Sequence, residues 1–141
     1  MSPETAKMAE KQTKILIVED DVTMREIMVH KMSTSGFTVI EAADGKSAIA
    51  TWKKEKPDIV LLDLMLPEMD GFEILETIRK DNDPQVAGTS VIVLSNLFGK
   101  EEIEKAKQLN IDDYLVKAYY TTEEILTKVQ ETLKKKAEKK V

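Results

Sequence analysis

Cysteine is absent from this 141-residue chain, and its absence removes disulfides, thiolate metal sites and cysteine nucleophiles together. Histidine is nearly absent too, with His30 standing alone within an expected helix, away from any candidate site. No apolar run approaches the ~20 residues a spanning helix needs. The opening MSPETAKMAEKQTK lacks the apolar core of a secretory signal, so a cytoplasmic location without membrane contact is expected. Lys and Arg number 21 against 26 Asp and Glu, and the net charge of -5 argues against general affinity for nucleic acid. What is present, 42% hydrophobic and 33% charged residues, describes one soluble domain large enough to bury an ordinary core. Residues 14–134 are expected to form it, with 1–13 and 135–141 as flexible ends and Met8 as an alternative start behind a short leader.

Five short runs rich in Ile, Val and Leu stand out: KILIVE (14–19), FTVIEA (37–42), DIVLLD (58–63), SVIVLS (90–95) and DYLVK (113–117). Each is too short for a helix, and their near-continuous apolar interiors suit strands covered on both faces. Helical segments lie between them at 22–35, 44–56, 70–80, 100–109 and 121–136. Gly36 and Asn110 suit left-handed helix ends, and Pro57 stops the second helix. Asp21 and Asp70 suit the openings of the first and third helices, and Thr122 with Glu123 and Glu124 that of the fifth. Strand alternating with helix five times gives an α/β fold, a parallel sheet with helices on both sides. Trp52 reads as packing, the seven methionines as core filler, and the lysine-rich stretch 134–140 as a solvated helix end.

In open parallel sheets, ligands bind beyond the carboxyl ends of the strands. Those ends here carry Glu19, Asp20 and Asp21, then Asp63, Ser95 and Lys117. Carboxylates gathered at one edge repel one another unless a cation joins them, and without thiolates or clustered imidazoles the oxygen-seeking Mg²⁺ is the natural one. A phosphoryl group would complete such a site, with Lys117 and the Ser95 hydroxyl on the oxygens the metal does not reach.

The acid pair in IVEDD, the stretch DLMLPEMDG, Ser95, and DDYLVK with Tyr114 three residues before Lys117 together resemble the receiver domain of bacterial two-component response regulators. The resemblance covers residues 14 to about 134. It implies a doubly wound, flavodoxin-like five-stranded parallel sheet in the order 2-1-3-4-5 with five helices. It makes Asp63 the phosphoacceptor, Asp20 a direct Mg²⁺ ligand, Glu19 a ligand through water, and the Met65 backbone carbonyl a further ligand. Pro67 and Gly71 shape the loop that follows. The donor would be a sensor histidine kinase or phosphotransfer protein, and the product a mixed anhydride. Ser95 and Tyr114 would then switch the face of the fourth helix, fifth strand and fifth helix toward a downstream protein partner, with homodimerisation on phosphorylation an open possibility. The chain's length suggests output by protein contact rather than through a DNA-binding domain.

Two rivals fit parts of the pattern. A haloacid-dehalogenase-like phosphohydrolase also uses an aspartate nucleophile and Mg²⁺, but needs a second acid two residues on, where this chain has Met65, which cannot transfer protons. A docking module that never sees phosphate would tolerate loss of an acid, Asp63 or Lys117, yet all are present. The chain is therefore expected not to be a turnover enzyme. Met65 and Leu97, apolar at positions that influence water access in the family, suggest slow self-dephosphorylation, with Asn96 beside them only a weak aid to water. One departure matters: the family lysine is usually followed by proline in a cis bond, whereas here the pair is Lys117-Ala118. A cis bond costs ~0.5–1 kcal/mol before proline and ~2.5–4 kcal/mol before other residues. A trans bond is expected, with the loop re-routed and the Ala118 N–H free to find a partner.

Overall fold

Each of the five apolar runs forms a strand: β1 (Lys14–Val18), β2 (Thr38–Ala42), β3 (Ile59–Leu62), β4 (Ser90–Ser95) and β5 (Asp113–Val116). They are seen in a computed structural model that describes residues 12–139. All pairs are parallel, in the order β2-β1-β3-β4-β5. The period-2 alternation of strand side chains sends Leu16, Val18, Val60, Leu62, Val91 and Val93 into one apolar layer with Trp52, Ile74 and Ile78. Ile15, Ile17, Ile59, Leu61, Ile92 and Leu94 enter the other, with Met28, Met32, Ile125 and Val129.

Among the described residues, six α-helices connect and cover the strands: α1 (Val22–Thr34), α2 (Gly45–Glu55), α3 (Gly71–Arg79), α4 (Pro84–Ala87), α5 (Lys100–Lys107) and α6 (Thr122–Lys139). Helices α1 and α6 bury their apolar residues on one face of the sheet, and α2, α3 and α5 theirs on the other. The expected five become six because α4 is a single turn, too short to show helical periodicity. It is made by Pro84 at its start and Asp83, whose carboxylate accepts from Gln85 N–H at 2.9 Å. The fourth and fifth expected helices are therefore α5 and α6.

The helix boundaries follow side-chain capping. Asp21, Asp44 and Asp70 each accept a backbone N–H of the first turn of α1, α2 and α3. At α6 the cap is Thr121 rather than Thr122. Thr121 Oγ1 accepts from Glu124 N–H at 3.1 Å and the Glu124 carboxylate accepts from Thr121 N–H at 2.9 Å, a reciprocal capping box. Lys56 takes a left-handed conformation before Pro57, and Gly36 and Asn110 have positive φ as expected. Of the expected flexible ends, residues 1–11 with Met8, and 140–141, lie outside the described residues. Thr13 O accepts from Thr38 N–H at 2.9 Å, and residues 135–139 continue α6, where Lys136 Nζ donates to Gly88 O at 3.1 Å. Among the described residues, no helix is long and apolar enough to cross a membrane.

Candidate functional site

Strands β1 and β3 are neighbours, with Val18 opposite Leu62, so the residues that follow them, Glu19 and Asp63, emerge side by side at the carboxyl edge. Asp63 N–H donates to Val18 O at 3.1 Å and Glu19 N–H to Ala42 O at 3.0 Å, which fixes both backbones. Lys117 follows β5 and reaches back across the end of β4. Its ammonium donates to Asp63 Oδ2 at 2.8 Å and to Glu19 Oε1. The side chains of Glu19, Asp63 and Lys117 are only 5%, 6% and 12% exposed. Three groups that ordinarily stand in water are thus held together, largely out of it.

Their electrostatics follow. Burial raises the Glu19 pKa, and the hydrogen bonds from Lys117 and from Asp21 N–H only partly offset it. Burial alone would lower the Lys117 pKa, but hydrogen bonds to the Asp63 and Glu19 carboxylates outweigh it and the net shift is upward. Carboxylate oxygens of Glu19, Asp20 and Asp63 lie within 4.8 Å of one another, and the Lys117 ammonium pairs with two of these three acids. This all-oxygen set fits a hard divalent cation such as Mg²⁺. Asp20 is exposed, and Met65 N–H donates to Asp63 Oδ1 at 3.0 Å, which keeps the Met65 backbone beside the cluster. Glu19 already accepts from Lys117 and from Asp21 N–H at 3.1 Å, a position that suits contact with a cation through water.

The turn after Asp63 has a steric reason. A Cβ on Gly71 would stand 2.7 Å from both the Asp63 carbonyl oxygen and Leu64 Cα, so only glycine lets α3 start against the Asp63 backbone. Gly71 N–H donates to Leu64 O at 3.0 Å and closes that loop. Glu68, within it, takes φ 65°, a left-handed conformation that side chains other than glycine's disfavour.

Ser95 ends β4 fully buried, its Oγ accepting from Leu97 N–H at 3.3 Å. The Tyr114 hydroxyl donates to Leu97 O at 2.6 Å, so its ring is already tucked against the β4–α5 loop. Burial, then the charges of Glu102 and Asp63, raises its pKa. The Lys117-Ala118 bond is trans, and Lys117–Tyr119 form a 3-10 turn. The Ala118 N–H does find a partner, donating to Asn96 Oδ1 at 3.2 Å.

Two residues near the site carry roles that the sequence does not signal. Arg25 on α1 donates from Nη1 to Glu19 O at 2.8 Å and from Nε to Glu41 Oε1 at 3.0 Å, and so clamps the acid loop. No spacing points to it, because the partner on Glu19 is a backbone carbonyl. Asn96, which in the sequence suggests only a weak aid to water, also accepts from the Ala118 N–H in the turn that carries Lys117. Away from the site, His30 is exposed, and Trp52 is fully buried with Nε1 donating to Thr89 Oγ1 at 3.0 Å. Met28 and Met32 fill the core, whereas Met65 is 54% exposed at the site's rim.

Residues 15–130 match the model of the response regulator receiver domain. A curated relative, "Probable transcriptional regulator ycf27" of Porphyridium aerugineum, is 33% identical over 122 residues, covering 86% of this chain and 48% of its own. The chain spans about half the length of such curated relatives, so output by protein contact alone does not follow from its length. Among solved structures, a CheY-like response regulator receiver domain protein from Methanospirillum hungatei is similar with TM-score 0.84 and 25% identity, over 92% of this chain and 99% of that one. Chemotaxis protein CheY4 of Vibrio cholerae gives TM-score 0.79 and 28% identity, over 86% and 98%.

Proposed function

The chain belongs to the response regulator receiver domain family, and from that premise we propose that it accepts a phosphoryl group on Asp63 from a phosphohistidine of a partner kinase or phosphotransfer protein. The domain doing so spans residues 14–134. The observation that carries the reading is the Lys117 ammonium shared between Asp63 and Glu19 at the carboxyl edge of the sheet. An Asp63 carboxylate oxygen attacks phosphorus, the P–O bond forms as the P–N bond breaks, and the imidazole leaves with the bonding pair and takes a proton from solvent. Lys117 holds the carboxylate in line beforehand and then moves onto a phosphoryl oxygen, stabilising charge as it is transferred. Mg²⁺, held by Asp20, Asp63 and the Met65 carbonyl, with Glu19 through water, would neutralise charge on the transferring group.

After transfer, the buried Ser95 hydroxyl turns to a phosphoryl oxygen, and its movement pulls on Leu97, which carries the Tyr114 contact. That couples the acceptor to the face of α5, β5 and α6, where a downstream protein partner would bind. Receiver domains are regulatory, and Met65 at the second position after Asp63 offers no acid for turnover. The phosphate-independent docking reading has no comparable support, since the acids, Asp63 and Lys117 are all in place. The test is intact mass after incubation with acetyl phosphate and Mg²⁺. One added phosphoryl group, about 80 Da, is expected on the natural chain and none on Asp63→Asn or in the presence of a chelator. Equal labelling of Asp63→Asn sinks the assignment.

A further inference from the structure

We propose that Asn96 is a positioning residue for Lys117: its carboxamide anchors the turn from which the ammonium reaches Asp63. The inference rests on the receiver reading and names a device within that site. Backbone pairing between β4 and β5 ends at Ser95 opposite Val116. Beyond it, the 3-10 turn Lys117–Tyr119 ends on a long hydrogen bond, Tyr120 N–H to Lys117 O at 3.3 Å. Burial does little to hold it, since Ala118 is exposed and Tyr119 is 70% exposed. The Ala118 N–H, among the first donors of the turn, has no acceptor inside it. Asn96 Oδ1 supplies one at 3.2 Å and extends the connection between the two strands past their last backbone pair.

The anchor is itself fixed on both sides. Ser95 before it is fully buried, and Leu97 after it donates to Ser95 Oγ and accepts from the Tyr114 hydroxyl at 2.6 Å. Phosphoryl transfer changes the other restraint on Lys117, because Asp63 Oδ2 is part of the reacting carboxylate. A lysine on a flexible four-carbon stem loses aim when its base also moves. The Asn96–Ala118 bond is a restraint on Lys117 that contains none of the reacting atoms.

The experiment compares initial rates of acetyl phosphate labelling in Mg²⁺ for the natural chain, Asn96→Ala, Asn96→Asp, Ala118→Pro and the Asn96→Ala/Ala118→Pro double variant. Asn96→Ala is expected to be about three- to ten-fold slower, the span of one ordinary hydrogen bond. Asn96→Asp keeps an acceptor oxygen and should regain most of the rate at a salt concentration that screens the added charge. Proline removes the N–H, so adding Asn96→Ala to Ala118→Pro should change nothing further, whatever rate proline alone gives. An unslowed Asn96→Ala, or an equal slowing in the proline background, overturns the inference. A second readout needs no phosphoryl group: the ¹⁵N resonance of the Lys117 ammonium should be sharp in the natural chain and in Asn96→Asp, and broadened in Asn96→Ala. If the natural chain takes no label, the receiver reading fails, and this resonance still decides the anchoring: unchanged in Asn96→Ala, it contradicts it.

Discussion

The two edges of this one sheet treat charge in opposite ways. At the amino edge, Arg79 donates from Nε to Leu109 O at 2.8 Å, from Nη1 to Ala87 O at 2.7 Å and Thr89 O at 2.8 Å, and from Nη2 to Asn110 O at 3.0 Å. Asp112 Oδ2 accepts from Val91 N–H at 2.9 Å, and Asp58 Oδ2 from Lys14 N–H at 2.8 Å. Charge there is absorbed by backbone groups that would otherwise lack partners. Burial disfavours the charged Arg79 as it does the ionised Glu19, but at the carboxyl edge Glu19, Asp63 and Lys117 face one another rather than a set of carbonyls. The first edge is complete in itself and contributes stability. The second carries an electrostatic demand that a cation and a phosphoryl group would meet, at some expense in stability.

That contrast can be broken by variants on either side, the largest effect coming from the amino edge. Arg79→Ala strips a half-buried donor from four carbonyls and should cost about 2–4 kcal/mol of unfolding free energy. Denaturant unfolding measures the loss, while the labelling rate of the folded variant stays unchanged; a slowed rate would mean the edges are not separate. Glu19→Gln should do the reverse. It removes a charge whose burial is unfavourable yet keeps an oxygen for Lys117, so stability without Mg²⁺ rises by about 1 kcal/mol, and Mg²⁺ affinity, followed by titration calorimetry, falls about tenfold. A destabilised Glu19→Gln would contradict the account of the carboxyl edge.

Smaller effects sharpen the picture. Glu68→Gly relieves a left-handed side chain worth ~1–2 kcal/mol, less the ~0.5–1 kcal/mol glycine loses in freedom. A net gain of about 0.5–1 kcal/mol in thermal unfolding is expected, with labelling intact. The smallest concerns Asp44, whose hydrogen bonds from Ser47 hold its pKa below the ordinary 3.8. A group depressed in the folded state contributes stability above its unfolded value and loses it as pH falls through the folded one. Asp44→Asn should therefore be less stable than the natural chain at neutral pH, and the difference should close below pH 3.8.

Much of this is legible in the sequence because strands and caps are local. The apolar runs around Ile15–Val18 and Val91–Leu94 match the strands to within a residue or two, since period and length decide them. Glu19, Asp63 and Lys117 can be found because parallel topology delivers strand ends to one place. What stays hidden depends on contacts distant in sequence or made to backbone. Arg25 holds a carbonyl, Asn96 caps a turn 22 residues away, and the four acceptors of Arg79 are carbonyls on two separate loops. Thr121 rather than Thr122 caps α6 because the choice turns on one residue of helical phase.

The central claim is that the unbalanced edge exists to carry a phosphoryl group on Asp63. Reductive trapping tests it most directly: the chain is treated with acetyl phosphate and Mg²⁺, the acyl phosphate is reduced with borohydride, and the peptides are sequenced by mass spectrometry. The account predicts homoserine at position 63 and unchanged residues at Glu19, Asp20 and Asp21. Reduction at Glu19 would leave an alcohol one methylene longer than homoserine, so the two carboxylates that share Lys117 give distinct products. Conversion at Glu19, Asp20 or Asp21, or a label that resists reduction and maps to Ser95 or His30, would contradict it.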